Sequence, residues 1–368
     1  EEMVKRGKEK IEDSEEVEES VEKIEERKNQ GKLILDASCT PADIRYPTDL
    51  GLLNDARKAT ERIIDRQWEA KKGELKKKPR TDRKVARKEY LRVAKKRRAS
   101  VKERRKGIKK QLGYIQRNLE IIKKLAEEKS GESLSKREQE KLEVIQKIYE
   151  QQKEMWEEEK NRVEERIVSL NQPHVRPIVR GKAGKQTEFG AKISLSHVDG
   201  YIFLDRVSWD NYNESGDLKS QVEKYKERYG YYPESVHVDQ IYRTRENLKW
   251  CRERGIRVSG PPLGRPKKNV SLQEKKQAQE DERYRSRIEG KLGQAKRRFS
   301  LNRVMTKLQS TSETSIAITV LVVNLSQLLK QLLGVFLPFF IINRTPQLKK
   351  DFMINSTYQI ALLKKKCL

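Results

Sequence analysis

The run Lys32-Leu33-Ile34-Leu35-Asp36 constrains this chain more than any other feature. It is short, apolar at consecutive positions and closed by a carboxylate, the pattern of a buried strand. The next strand-like runs come only after Pro173: Val175–Arg180, Glu188–Leu195, Gly200–Val207, Ser235–Asp239 and Ile256–Ser259, separated by glycine-bearing turns and by helical stretches such as Leu218–Tyr229 and 243–254. Between them, residues 48–170 read as helix. Leu50, Leu53, Ala56, Ile63 and Ile64 recur at helical spacing, then Leu112, Ile115, Leu119 and Ile122. Gly131 is a break, and 136–170 carry Leu142, Ile145, Ile148, Met155 and Trp156. The sequence therefore predicts an α/β protein whose sheet is interrupted after its first strand by an antiparallel helical hairpin.

Charge narrows the function. Lys and Arg number 83 against 56 acidic residues, a formal net charge of +27, with 38% charged and 35% hydrophobic residues. That composition excludes a membrane-embedded protein and points to a polyanionic partner, most often nucleic acid. Residues 71–110 hold 21 basic and 4 acidic residues, which favours contact with phosphates over a merely solvated helix. Residues 1–30 are acidic and read as a linker or the remnant of an N-terminal region. The chain opens on Glu1-Glu2 without an initiator methionine, so a fragment is expected. Cys39, Cys251 and Cys367 are too few for a disulfide framework, which fits a reducing compartment. The apolar stretch Ser315–Ile342 is interrupted by Asn324, Gln327, Lys330 and Gln331; it is expected to pack on the sheet and to fall short of a membrane span.

Two strands ending in aspartate, in so basic a chain, suggest a metal site for phosphate chemistry, because magnesium takes hard oxygen ligands. Asp36 and Asp239 are the candidates; capping of a neighbouring turn is the plainer alternative for each. Glu289 is the third, with Arg285 four residues before it and Lys296 seven after, all on one helical face. Ordinary salt bridging on an exposed helix would produce the same spacing. Trp156 and Trp250 read as packing residues, His237 as a core histidine, and Cys39 lacks a nearby histidine that would make it a nucleophile.

An ordered set of motifs resembles the DDE transposases of bacterial insertion sequences. They are Leu33–Ala37 with Thr40–Pro47, His174–Lys182, Glu188–Lys192, Val238–Arg243 and Ile288–Lys291. Arg285, Glu289 and Lys296 fit the spacing of a tyrosine-arginine-glutamate-lysine signature, whose tyrosine falls at Glu282, two residues before Tyr284. The resemblance implies an RNase H-like mixed sheet flanked by helices, with a long basic helical insertion after the first strand. Residues 31–47 and 171–330 would form the catalytic core, 48–170 the insertion and 331–368 a tail. It further implies Asp36, Asp239 and Glu289 as catalytic ligands of two Mg2+ or Mn2+ ions. Arg285, Lys291 and Lys296 would contact DNA, joined by Lys95, Lys96, Arg97 and Arg98 of the basic block. Element ends and target DNA would be the partners of a homodimer in a nucleoid-associated, cytoplasmic complex without membrane attachment. A catalytically idle remnant and a basic nucleic-acid-binding scaffold are the alternatives.

Overall fold

The computed structural model describes residues 28–70, 77–127, 134–179, 187–260, 262–264 and 271–344, with backbone alone from 335. The acidic segment 1–27, most of the basic loop 260–268 and the tail from 345 lie outside the described residues.

Six strands form one mixed sheet: β1 (Lys32–Pro41), β2 (Arg176–Val179), β3 (Thr187–Val198), β4 (Tyr201–Ser208), β5 (Ser235–His237) and β6 (Arg257–Val258). Their order is β2-β3-β1-β5-β6, with β4 also paired to β3. β3 is long enough to take two partners in succession on its outer edge, β2 along residues 187–190 and β4 along 192–198. It runs antiparallel to β1, whereas β5 and β6 add in parallel on β1's other side. Leu33, Ile34 and Leu35 are all buried, because β1 is covered on both faces. The strand does not stop at Asp36 as its aliphatic run suggests. Ala37 to Pro41 continue in register with Ser194 to Gly190, so Asp36 stands mid-strand opposite Leu195.

The β1–β3 ladder allows no side chain at one position. A Cβ on Gly190 would overlap the Thr40 carbonyl oxygen and meet Pro41 Cα at 2.8 Å. Both obstacles are backbone and cannot rotate away. Gly190→Ala is expected to lower stability by about 2–3 kcal/mol in urea unfolding; an unchanged midpoint would show that the two strands separate freely there.

The insertion folds as four helices where a two-helix hairpin is expected: α1 (Asp49–Ala70), α2 (Arg83–Ala94), α3 (Val101–Glu127) and α4 (Lys136–Glu157). Two local devices account for the difference. Asp82 enters the left-handed region (φ 48°) just before α2, and Ser100 exchanges hydrogen bonds with Glu103 at the start of α3. At the other end, Gln151 ends the helical reading early. Its side chain donates to the Glu164 and Glu165 carbonyls and accepts the Ile167 N–H, folding residues 158–170 back along α4. The insertion has its own core of Leu53, Ala56, Ile115, Ile145, Ile148 and Ile167, separate from those on the sheet.

Helices cover both faces of the sheet. α5 (Leu218–Tyr229) and α6 (Arg245–Glu253) pack Leu218, Val222, Tyr225 and Cys251 against Leu33 and Leu35. α7 (Leu272–Arg298) and α8 (Gln309–Arg344) pack Ile288, Leu292, Ala295, Ile316, Val320 and Val323 on the opposite face, around Ile34, Ile193 and Leu195. A mixed sheet between helical layers, with a basic helical insertion after its first strand, is compatible with the RNase H-like transposase fold that the motifs imply.

Candidate active site

The unequal lengths of β1 and β5 create the site. β5 ends at His237, so on that side β1 is paired only as far as Ile34. Beyond it the edge is open until Pro41, whose carbonyl accepts the Val304 N–H, and a cavity of about 770 Å³ lies against Asp36, Ala37, Ser38 and Cys39. Carrying the parallel register Ile34↔His237 two residues further brings Asp36 alongside Asp239. Side chains alternate along a strand, so Asp36 and Ser38 share the face of Ile34, where α7 packs. Arg285, Glu289, Leu292 and Lys296 follow one another at helical spacing along the cavity. Asp36, Asp239 and Glu289 therefore line one cavity. They share it without converging: among the described residues, no group of three or more His, Cys, Asp or Glu side chains is gathered closely enough to hold a metal ion.

Each carboxylate is held differently. Asp36 Oδ1 accepts the Ala37 N–H at 2.8 Å. Burial pushes its carboxyl up to about 6; the Ala37 hydrogen bond and the Arg285 charge oppose this, while Glu289 and Glu214 add to it. Asp239 caps the 3-10 turn Gln240–Tyr242, accepting the Gln240 N–H at 2.7 Å. Capping and facing the cavity coexist at this residue. Glu289 lies 3.2 Å from the Arg285 guanidinium, which also grips Glu282 through two hydrogen bonds of 2.6 and 3.0 Å. The helix-surface ion pairs weighed as an alternative are thus present, beside the cavity rather than instead of it.

The cations divide. Lys296 Nζ donates to Ser38 Oγ at 2.8 Å, tying the last turn of α7 to β1. This tie exists because α7 runs to Arg298, which keeps Lys296 on the helix. Lys291 turns the other way, donating to Gln327 of α8 at 2.7 Å, and does not line the cavity. Lys95, Lys96, Arg97 and Arg98 belong to the turn after α2, on the insertion, and Lys96 pairs with Glu103 at 2.5 Å.

A second cluster fixes α7 on the sheet. Asp281 takes a double hydrogen bond from Arg257 of β6, at 2.6 and 3.0 Å, and lies 3.7 Å from His237 Nδ1. His237 is fully buried beside Ser235, and burial pushes its pKa down to about 4, so at neutral pH it is an uncharged core histidine. Tyr284 stacks on it at 4.8 Å, under Lys32. The tyrosine nearest the signature position is a packing residue of the helix–sheet contact.

Two cavity residues carried no individual signal in the sequence. Lys192 and Glu214 face each other at 2.5 Å on the cavity wall. Lys192 is bracketed within the Glu188–Lys192 motif, but Glu214 sits in the aperiodic loop after Trp209, where spacing says nothing. Cys39 is buried, and among the described residues no histidine lines the cavity. Trp156 donates to the Arg105 carbonyl at 3.1 Å and Trp250 packs edge-on to Tyr232.

An open strand edge lined by carboxylates and rimmed by Arg285 and Lys296 is the kind of site that handles phosphate esters. Residues 236–326 match the family model described as a transposase DDE domain. The match takes in Asp239, Arg285, Glu289 and Lys296; Asp36 lies ahead of it. No curated protein and no solved structure matches the chain.

Proposed function

We propose that the chain is the transposase of an insertion sequence, cutting DNA at the element ends and joining the freed 3′-hydroxyl to target DNA. The observation that carries this reading is the shared cavity of Asp36, Asp239 and Glu289 beneath Arg285 and Lys296. DDE transposases generally use a divalent metal. The donor set suits a hard cation, because it is all carboxylate oxygen and the charges of Glu289 and Glu214 both act on Asp36. Asp36, Asp239 and Glu289 would hold two Mg2+ or Mn2+ ions, which supply an activated water nucleophile and neutralise the leaving oxygen. The protein's own groups do the positioning. Lys296, braced by Ser38, presents a cation at the β1 edge, where a scissile phosphate would lie. Arg285 offsets the charges of Asp36 and Glu289 and is placed to turn toward a phosphate. Two copies would hold the paired element ends in a nucleoid-associated complex.

The test is nicking of a short DNA duplex. Cleavage in magnesium or manganese buffer, abolished by EDTA and restored by the metal, is the expected result. Metal-independent binding without cleavage would favour the idle remnant or the scaffold.

The basic turn gives a second expectation. If it tracks DNA, replacing Lys95, Lys96, Arg97 and Arg98 by alanine weakens binding on every sequence and flattens its salt dependence. Lys96 is already engaged by Glu103, so about three contacts are at stake. The slope of log affinity on log salt should fall by about 2.7. Equal slopes for wild type and variant would place this cluster away from DNA.

A further inference from the structure

α8 uses only one of its faces. Ile316, Val320 and Val323 are buried on the sheet. Asn324 clamps β4 by accepting the Ile202 N–H at 2.9 Å and donating to its carbonyl at 2.7 Å, and Gln331 accepts the Tyr201 hydroxyl at 2.6 Å. The opposite face presents Ile318, Leu321, Leu325, Leu328, Leu329 and Leu332, each between 44% and 57% exposed. Contiguous apolar surface of this extent on a water-exposed face marks an interaction site.

The spacing says what fits there. Positions 318, 321, 325, 328 and 332 advance by alternating steps of three and four, the 3.5-residue repeat that keeps an apolar seam facing another helix. No charged residue occurs between Glu313 and Lys330, in a chain that is 38% charged. An acidic or basic partner would find nothing to pair with, while a second copy can approach here despite a net charge of +27 on each. The exposed fractions correspond to roughly 600 Å² per copy, so a symmetric pairing hides roughly 1,200 Å², the lower bound of a standard stable interface. Gln309–Gly334 is also long and apolar enough to cross a membrane, contrary to the sequence expectation. A spanning helix would have to give up its clamps on β4, whereas pairing keeps them.

We propose that this stripe is a self-association surface, through which α8 packs against α8 of a second copy about a two-fold axis, without DNA. Analytical ultracentrifugation of the full chain at micromolar concentration, free of DNA, should show a dimer that persists at about 0.5 M salt, where charge-driven contacts are screened. Leu325→Lys and Leu328→Lys alter exposed positions only. Each should weaken association at least tenfold while leaving circular dichroism and melting unchanged. A wild-type monomer across the concentration range would overturn the proposal, as would variants that associate like wild type. Monomeric wild type that floats with phosphatidylcholine vesicles, when the lysine variants do not, would assign the stripe to lipid instead.

Discussion

Asp36→Asn is expected to melt several degrees higher than the wild-type protein and to cut no DNA. The two effects have one origin. Burial holds the Asp36 carboxyl up at about 6 against an ordinary value of 3.8, with Glu289 and Glu214 raising it further. The folded state therefore binds the Asp36 proton more tightly than the unfolded chain does. Its stabilising contribution is fully present below about pH 3.8 and is lost as the pH rises through about 6. At neutral pH the ionised group costs the fold up to about 3 kcal/mol. Asparagine keeps an oxygen for the Ala37 N–H and carries no charge, so it relieves that cost, while removing one of the proposed metal ligands. Cleavage should fall at least about a thousandfold, an effect on the order of 4 kcal/mol in the barrier. The melting gain should shrink toward pH 4, where wild-type Asp36 is itself protonated. Asp239→Asn is expected to abolish cleavage equally with DNA affinity intact or raised, since one negative charge leaves a cationic surface. Cleavage retained by either variant in magnesium buffer would remove that residue from the catalytic set. A melting temperature for Asp36→Asn that is lowered, or equally raised at every pH, would contradict the electrostatic account.

The largest loss of stability is expected inside the insertion. Arg57 of α1 is 1% exposed and pairs with Glu61 one turn on, while Asn54 and Gln111 take its remaining hydrogen bonds at 2.9 and 3.2 Å. Gln111 in turn donates to the Ala86 carbonyl at 3.0 Å, so one guanidinium joins three helices. Glu61→Ala leaves a buried cation without its counter-ion and should cost about 3–5 kcal/mol in urea unfolding. Replacing both partners, Arg57→Met with Glu61→Leu, removes the charge and its partner together and should recover most of that loss. A single variant that loses less than about 1 kcal/mol would mean that water reaches the pair.

Much of this was legible in the residues. The aliphatic run of β1 marked the first strand because three consecutive buried positions leave little else for such a run to be. α5 stands at Leu218–Tyr229 as its periodicity and Gly230 require. Asp36, Asp239 and Glu289 could be picked out because strand and helix patterns placed each on an element that reaches the same sheet edge. What escaped is decided by partners distant in sequence. Ala37 to Pro41 have no apolar alternation, and they are strand because β3 pairs with them. Residues 158–170 look helical, and they are not because one glutamine side chain captures their backbone. Glu214 reaches the cavity through a loop whose path no local spacing encodes.

The placement of the insertion has a consequence for the order in which the protein can become active. β1 leaves the ribosome well before its parallel neighbour β5, which begins 203 positions later at Ser235, and the helix bearing Glu289 comes later still. The insertion, with an apolar core of its own, can assemble while β1 waits for its parallel neighbour. Asp36 is thus made before the other two carboxylates that share its cavity. A nascent chain that ends between the insertion and Glu289 has the basic helical body and lacks the third carboxylate of the proposed site.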